Sequence, residues 1–128
     1  MSKPILCLDF DGVIHSYSSG WKGADVAPDP PVAGAIEFIR SALDHFDVQI
    51  YSSRSGQPGG INAMQDWMLA HSDDYRLVQA VGWPDVKPAA FVTIDDRALT
   101  FEGTWPAIDS LKAFKPWNKR AIAKADDR

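Results

Sequence analysis

A short apolar run, Ile5-Leu6-Cys7-Leu8, ends abruptly in Asp9-Phe10-Asp11-Gly12-Val13. A run of that length closed by a turn residue reads as a buried strand. Side-chain direction repeats every second residue in a strand, so Asp9 and Asp11 are expected on the same side of its carboxyl end. Gly12 lets the chain turn sharply where a side chain would be crowded. Neighbouring carboxylates repel, and such pairs serve a cation, a shared proton or two distinct chemical roles.

Downstream, apolar runs alternate with helical patterns. His15 to Ala27 is a polar, glycine-containing stretch carrying Tyr17, Trp21 and Lys22. Asp29-Pro30-Pro31 reads as a helix start, with the acid near the N-cap and proline in the first turn. Val32, Ala35, Ile36, Ile39, Ala42, Leu43 and Phe46 follow at amphipathic-helix spacing. Val48 to Tyr51 reads as a second strand, leading into Ser52-Ser53-Arg54 and a loop with Gly56, Pro58, Gly59 and Gly60. Ile61, Met64, Trp67 and Met68 mark another helix, and Leu77 to Val81 a weaker strand. Phe91-Val92-Thr93-Ile94 is a clearer strand that runs into Asp95-Asp96-Arg97. Pro106 and the Ile108/Leu111 spacing predict a short final helix, and Trp105, Phe114 and Trp117 are expected to cover the sheet edge.

This alternation predicts an α/β fold: a Rossmann-like, mostly parallel sheet with helices on both faces. Residues 1–128 fit a single domain, with 15–27 as a flap over the strand ends and 117–128 as a peripheral tail. In open parallel sheets, ligands bind beyond the carboxyl ends of the strands. The polar clusters fall there: Asp9 and Asp11, then Ser52 to Arg54, then Asp95 and Asp96, with Lys87 close to the same edge.

The formal charge of −4 argues weakly against broad nucleic-acid binding. Cys7 is the single cysteine, so neither an intramolecular disulfide nor a thiol metal cluster is available. No segment reaches membrane-spanning length and no signal-peptide pattern opens the chain, so the cytoplasm is the default expectation.

The order of these clusters resembles the haloacid dehalogenase (HAD) superfamily of phosphohydrolases. Its four motifs correspond here to Asp9-Phe10-Asp11-Gly12-Val13, Ser52 with Arg54 two residues later, Lys87, and Asp95-Asp96, spanning residues 5 to 96, about three quarters of the chain. The first and last are specific; the Ser and the Lys alone are weak. Small capless HAD proteins of phages and bacteria, and the phosphatase half of polynucleotide kinases, are the most similar in flavour. Val13 stands where many members have Thr, which removes no catalytic group.

The resemblance implies a phosphoric monoester hydrolase. A phosphate dianion repels anionic nucleophiles, and Mg²⁺, which takes carboxylate, water and phosphate oxygens, suits the neutralisation. Asp9 would attack phosphorus to give an aspartyl-phosphate. Asp11 would protonate the leaving oxygen and then activate water. Ser52, Arg54 and Lys87 would bind phosphate. Asp9, Asp11 (through its backbone carbonyl), Asp95 and Asp96 would serve the metal. The formal −4 equals these four carboxylates, so overall acidity does not disfavour an anionic substrate.

Neither 13–31 nor 55–86 has room for a full cap domain, so the site is expected to be open under its flap. Tyr17 and Trp21 offer flat faces and Lys22 a charge, a set suited to a base beside a phosphate. A nucleotide or nucleic-acid end is therefore the expected substrate, with no obligate protein partner. Two other readings stand beside this one: a receiver-like phospho-signalling domain, disfavoured because its acidic pair comes first and its lone acceptor mid-chain, and a non-catalytic binder of phosphorylated ends.

Overall fold

The computed structural model describes residues 2–119. Strand β1 (Ile5–Leu8) is the centre of a three-stranded parallel sheet, flanked by β2 (Asp47–Ile50) and β3 (Val92–Ile94) in the order β2-β1-β3. The helices are α1 (Ala35–Ala42), α2 (Gly60–Ser72), α3 (Tyr75–Ala80) and α4 (Ile108–Lys112). The chain is thus of the α/β class, and no helix among the described residues is long and apolar enough to cross a membrane.

Register decides which side chains share a face. Leu6 is paired with Val48 and Val92, and Leu8 with Ile50 and Ile94, so these six point the same way. Leu6, Leu8, Val48 and Ile50 are buried in one core with Ile36 and Ile39 of α1, Met64, Trp67 and Met68 of α2, and Leu77 and Val78 of α3. Complete burial of each such side chain stabilises by about 1.5–3 kcal/mol.

All three helices cover that one face, and the chain order explains why. From β1 the sequence steps outward to β2 and then to Gly82, which extends the sheet by one residue through bonds to Ile50 N–H and the Val48 carbonyl. Right-handed crossovers taken in one direction put their helices on one side. The chain then returns to the far side of β1 through 83–91 without a helix, and α4 buries none of its residues. The expectation of helices on both faces is corrected accordingly for the described residues.

Three local expectations also change. Asp29 does not start a helix: α1 begins at Ala35, because residues 30–32 pair with 14–16 instead, Ser16 N–H to the Pro30 carbonyl and Val32 N–H to the Ile14 carbonyl. Leu77 to Val81 is not a strand but mostly α3, whose first turn is capped by Asp74 Oδ1 accepting from Leu77 N–H at 3.2 Å. The start of the tail is not peripheral, since Trp117 Nε1 donates to the Gly12 carbonyl at 2.7 Å and Asn118 Nδ2 to the Ser16 carbonyl at 3.3 Å. Trp105 covers nothing on the sheet and is 85% exposed against Phe101. The rest of the tail, 120–128, lies outside the described residues.

Candidate metal and phosphate site

The strand order reverses between β1 and β3, and open parallel sheets bind ligands at that switch point, beyond the carboxyl ends of the strands. Asp9 follows β1 directly, and its N–H donates to the Ile94 carbonyl at 3.0 Å, which locks the two strand ends together. Asp95 and Asp96 follow β3. One carboxylate oxygen from each of Asp9, Asp95 and Asp96 lies within 4.8 Å of the others.

Crowding leaves a clear electrostatic mark. Burial, then the charge of Asp95, pushes the Asp9 carboxyl up to about 8, and burial likewise raises Asp96. Oδ1 of Asp96 is buried without a hydrogen-bond partner among the described residues. Gly12, at φ 81°, sits so near that any Cβ there would collide with the Asp96 carboxylate. An all-oxygen set with an orphaned acceptor and mutually repelling charges fits a hard divalent cation such as Mg²⁺.

Asp11 has a different set of partners. Phe10 joins Leu6 and Leu8 in the core while Asp9 and Asp11 both line the cleft beside the strand end, yet the Asp11 carboxylate is outside the metal-like trio. It receives Arg54 Nε on Oδ2 at 2.9 Å and Arg54 Nη2 on Oδ1 at 3.0 Å, and His15 Nδ1 lies 2.9 Å from the same Oδ1. Burial would raise this carboxyl, but the hydrogen bonds from His15 and Arg54 prevail and hold it below its ordinary value.

Arg54 was expected on phosphate, and its surroundings give it another task. Its side chain is fully buried, and Nη1 donates to the carbonyls of Gly23, Ala24 and Val26 at 2.9, 3.0 and 2.9 Å. Trp21 lies over the guanidinium at 4.9 Å from ring centroid to Cζ. Buried in this way and absent from the cleft lining, Arg54 is a strut between Asp11 and the flap.

His15, the first residue of the polar stretch, is central to the site. It is fully buried, stacked on Phe10 at 5.1 Å, and its Nε2 accepts the Asp29 N–H at 3.0 Å. A backbone N–H can only donate, so the ring proton sits on Nδ1 and is directed at Asp11. Asp29 in turn accepts from Ser19 N–H at 2.8 Å and Ser19 Oγ at 2.5 Å, and its carbonyl accepts from Trp67 Nε1 at 2.7 Å. The 15–27 flap is therefore tied down at several points. No composition or periodicity signal marks His15; only the turn after Gly12 brings it back to Asp11.

A cleft with two arms opens beside Asp9. One arm, about 270 Å³, is lined by Ser52, Ser53, Lys87, Thr93, Asp95 and Arg97, together with Cys7 and Tyr51. The other, about 240 Å³, runs under the flap between Tyr17, Trp21, Asp11 and Asp96. Asp9, Ser52, Ser53 and Arg97 belong to both. Ser52 and Lys87 thus line the same arm as Asp9. Exposed Ser53 lines the cleft as well, while Ser52 Oγ also accepts the Arg54 N–H at 3.2 Å. Lys22 lines neither arm. Trp21, 47% exposed, has one face on Arg54 and borders the flap arm, so anchoring and lining coexist.

No family model, no curated protein and no solved structure matches this chain.

Proposed function

We propose that this chain is a Mg²⁺-dependent phosphoric monoester hydrolase of HAD type that works through an aspartyl-phosphate on Asp9. The observation that carries the reading is the convergence of Asp9, Asp95 and Asp96 at the switch point, beside a cleft holding Ser52 and Lys87. Asp9, Asp95 and Asp96 would hold the cation, which when bound supplies charge neutralisation for an anionic substrate. With its charge offset, Asp9 is free to attack phosphorus, the leaving alkoxide departing as the new P–O bond forms. Ser52 and Ser53 donate to phosphoryl oxygens, and Lys87 adds a positive charge. Asp11, held ionised by Arg54 and His15, is ready to take a proton from the water that cleaves the intermediate; donating one to the leaving group requires Arg54 to shift.

The reading includes an open, capless site, since 13–31 supplies a tied loop and 55–86 is occupied by α2 and α3. Tyr17 and Trp21 beside the flap arm favour a nucleotide or nucleic-acid end as substrate. One observation favours the non-catalytic alternative: the engagement of Asp11 by Arg54, which leaves no proton to donate. A screen of nucleotides, sugar phosphates and phosphate-ended oligonucleotides with Mg²⁺ and with EDTA separates the two. Turnover of any ester in Mg²⁺ excludes a pure binder, and the absence of turnover on all of them overturns the hydrolase.

A further inference from the structure

Arg97 is the arginine at this site whose charge is not already spent. Arg54 is fully buried, held by Asp11 and three flap carbonyls, and lines neither arm of the cleft. Arg97 lies at the junction of the two arms and lines both. Its backbone is fixed by its own N–H donating to Asp95 Oδ1 at 2.8 Å, which ties its placement to a member of the metal-like trio. Its guanidinium has neither a hydrogen bond nor an ion pair among the described residues, although Asp9, Asp95 and Asp96 are close by. An arginine beside three carboxylates that pairs with none of them is available to an incoming anion.

We propose that Arg97 is the anchor for the substrate's phosphoryl group, the role that the sequence pattern offered to Arg54. This rests on the hydrolase reading and names a binding residue for it. The charge balance shows why a second cation is needed. Asp11 is offset by Arg54, so three carboxylates face the cleft. A divalent ion leaves one negative charge uncompensated, and Lys87 alone brings the site only to neutrality. Arg97 makes it net positive toward a dianion. Its planar fork can hold two phosphoryl oxygens at once, which a lysine ammonium does with less directional control. Standing at the junction, it meets the phosphoryl group next to Asp9 whichever arm the rest of the substrate occupies.

The test is calorimetric titration of inorganic phosphate into the Mg²⁺-loaded full chain, comparing wild type with Arg97→Ala, Arg97→Lys and, as a surface control, Arg76→Ala. Loss of a charge-assisted contact predicts binding weakened by about ten- to a hundredfold in Arg97→Ala. Partial recovery is expected in Arg97→Lys, with Arg76→Ala like wild type and thermal midpoints unchanged throughout. In steady-state assays Arg97→Ala should raise KM more than it lowers kcat. Phosphate bound by Arg97→Ala as tightly as by wild type, or not bound by wild type at millimolar concentration, overturns the anchor. If binding depends on Arg97 but no ester is turned over, the anchor stands and the hydrolase reading falls.

Discussion

Arg54 and Asp11 meet as a fork on a fork, Nε to Oδ2 at 2.9 Å and Nη2 to Oδ1 at 3.0 Å, with the guanidinium fully buried. The same guanidinium holds three flap carbonyls, so the carboxylate next to the proposed nucleophile and the loop above it are mechanically one unit.

Arg54→Lys keeps the charge but cannot reproduce that geometry. Breaking a buried pair from one side costs about 3–5 kcal/mol. Denaturant unfolding should report a loss of that order, and limited proteolysis should find new cleavage between 15 and 27. Wild-type stability with an uncut flap would show that the strut carries no weight.

Asp9→Asn should abolish turnover, because the amide cannot form the acyl-phosphate. In metal-free protein the same change removes one of three crowded acids, so its thermal midpoint above neutral pH should equal or exceed that of wild type. Turnover at the wild-type rate by purified Asp9→Asn would falsify the nucleophile assignment.

Stability without metal should fall as pH rises. The Asp9 carboxyl goes from an ordinary 3.8 in the unfolded chain to about 8 in the folded one, so the folded state binds the extra proton across that window. Stability present below the lower value is therefore lost progressively as pH climbs through the upper one. Mg²⁺ competes with that proton, and its stabilising effect should grow over the same range. Melting curves at several pH values with EDTA or Mg²⁺ check this; a Mg²⁺ effect independent of pH contradicts it.

Asp29 carries the opposite sign. Burial pushes its carboxyl up, but the Ser19 hydrogen bonds outweigh this and hold it below its ordinary value. Its contribution is complete above the unfolded value and disappears as pH falls through the folded one. Flap protection in hydrogen exchange should weaken in acid, and Asp29→Asn should blunt that dependence. A flap equally protected in acid for wild type and variant removes Asp29 as its clasp.

Much of this was legible in the chain. β1, β2, β3 and α2 follow from apolar runs and spacing that local rules read well, and the acids at the strand ends follow from where those strands stop. What escaped reading depends on contacts across the fold. Leu77 to Val81 has strand-like residues, yet the Asp74 cap and a helix face directed at the core prevail, leaving Gly82 alone to extend the sheet. Arg54 looked like a phosphate ligand because its spacing fits one, and only the path of the flap backbone shows most of its donors already taken. His15 and Arg97 gained their importance from a turn and from a cleft, neither of which has a periodic signature. Cover on the second face was inferred from alternation, whereas the direction of the crossovers decided it.

Trp117→Phe keeps the ring and removes the N–H that reaches Gly12. The expected stability loss is about 1 kcal/mol. A larger proportional fall in kcat is expected, since the contacted turn aims Asp9 and Asp11. Unchanged kcat would reduce the contact to simple adhesion.

That contact joins residues 105 positions apart. During synthesis the Gly12 turn leaves the ribosome early, but the indole that braces it is among the last of the described residues to be made. A nascent chain can assemble β1, α1 and β2 long before this brace exists, and closure over such a separation is slow compared with local folding. Bracing of the Gly12 turn is thereby deferred until translation has passed residue 117.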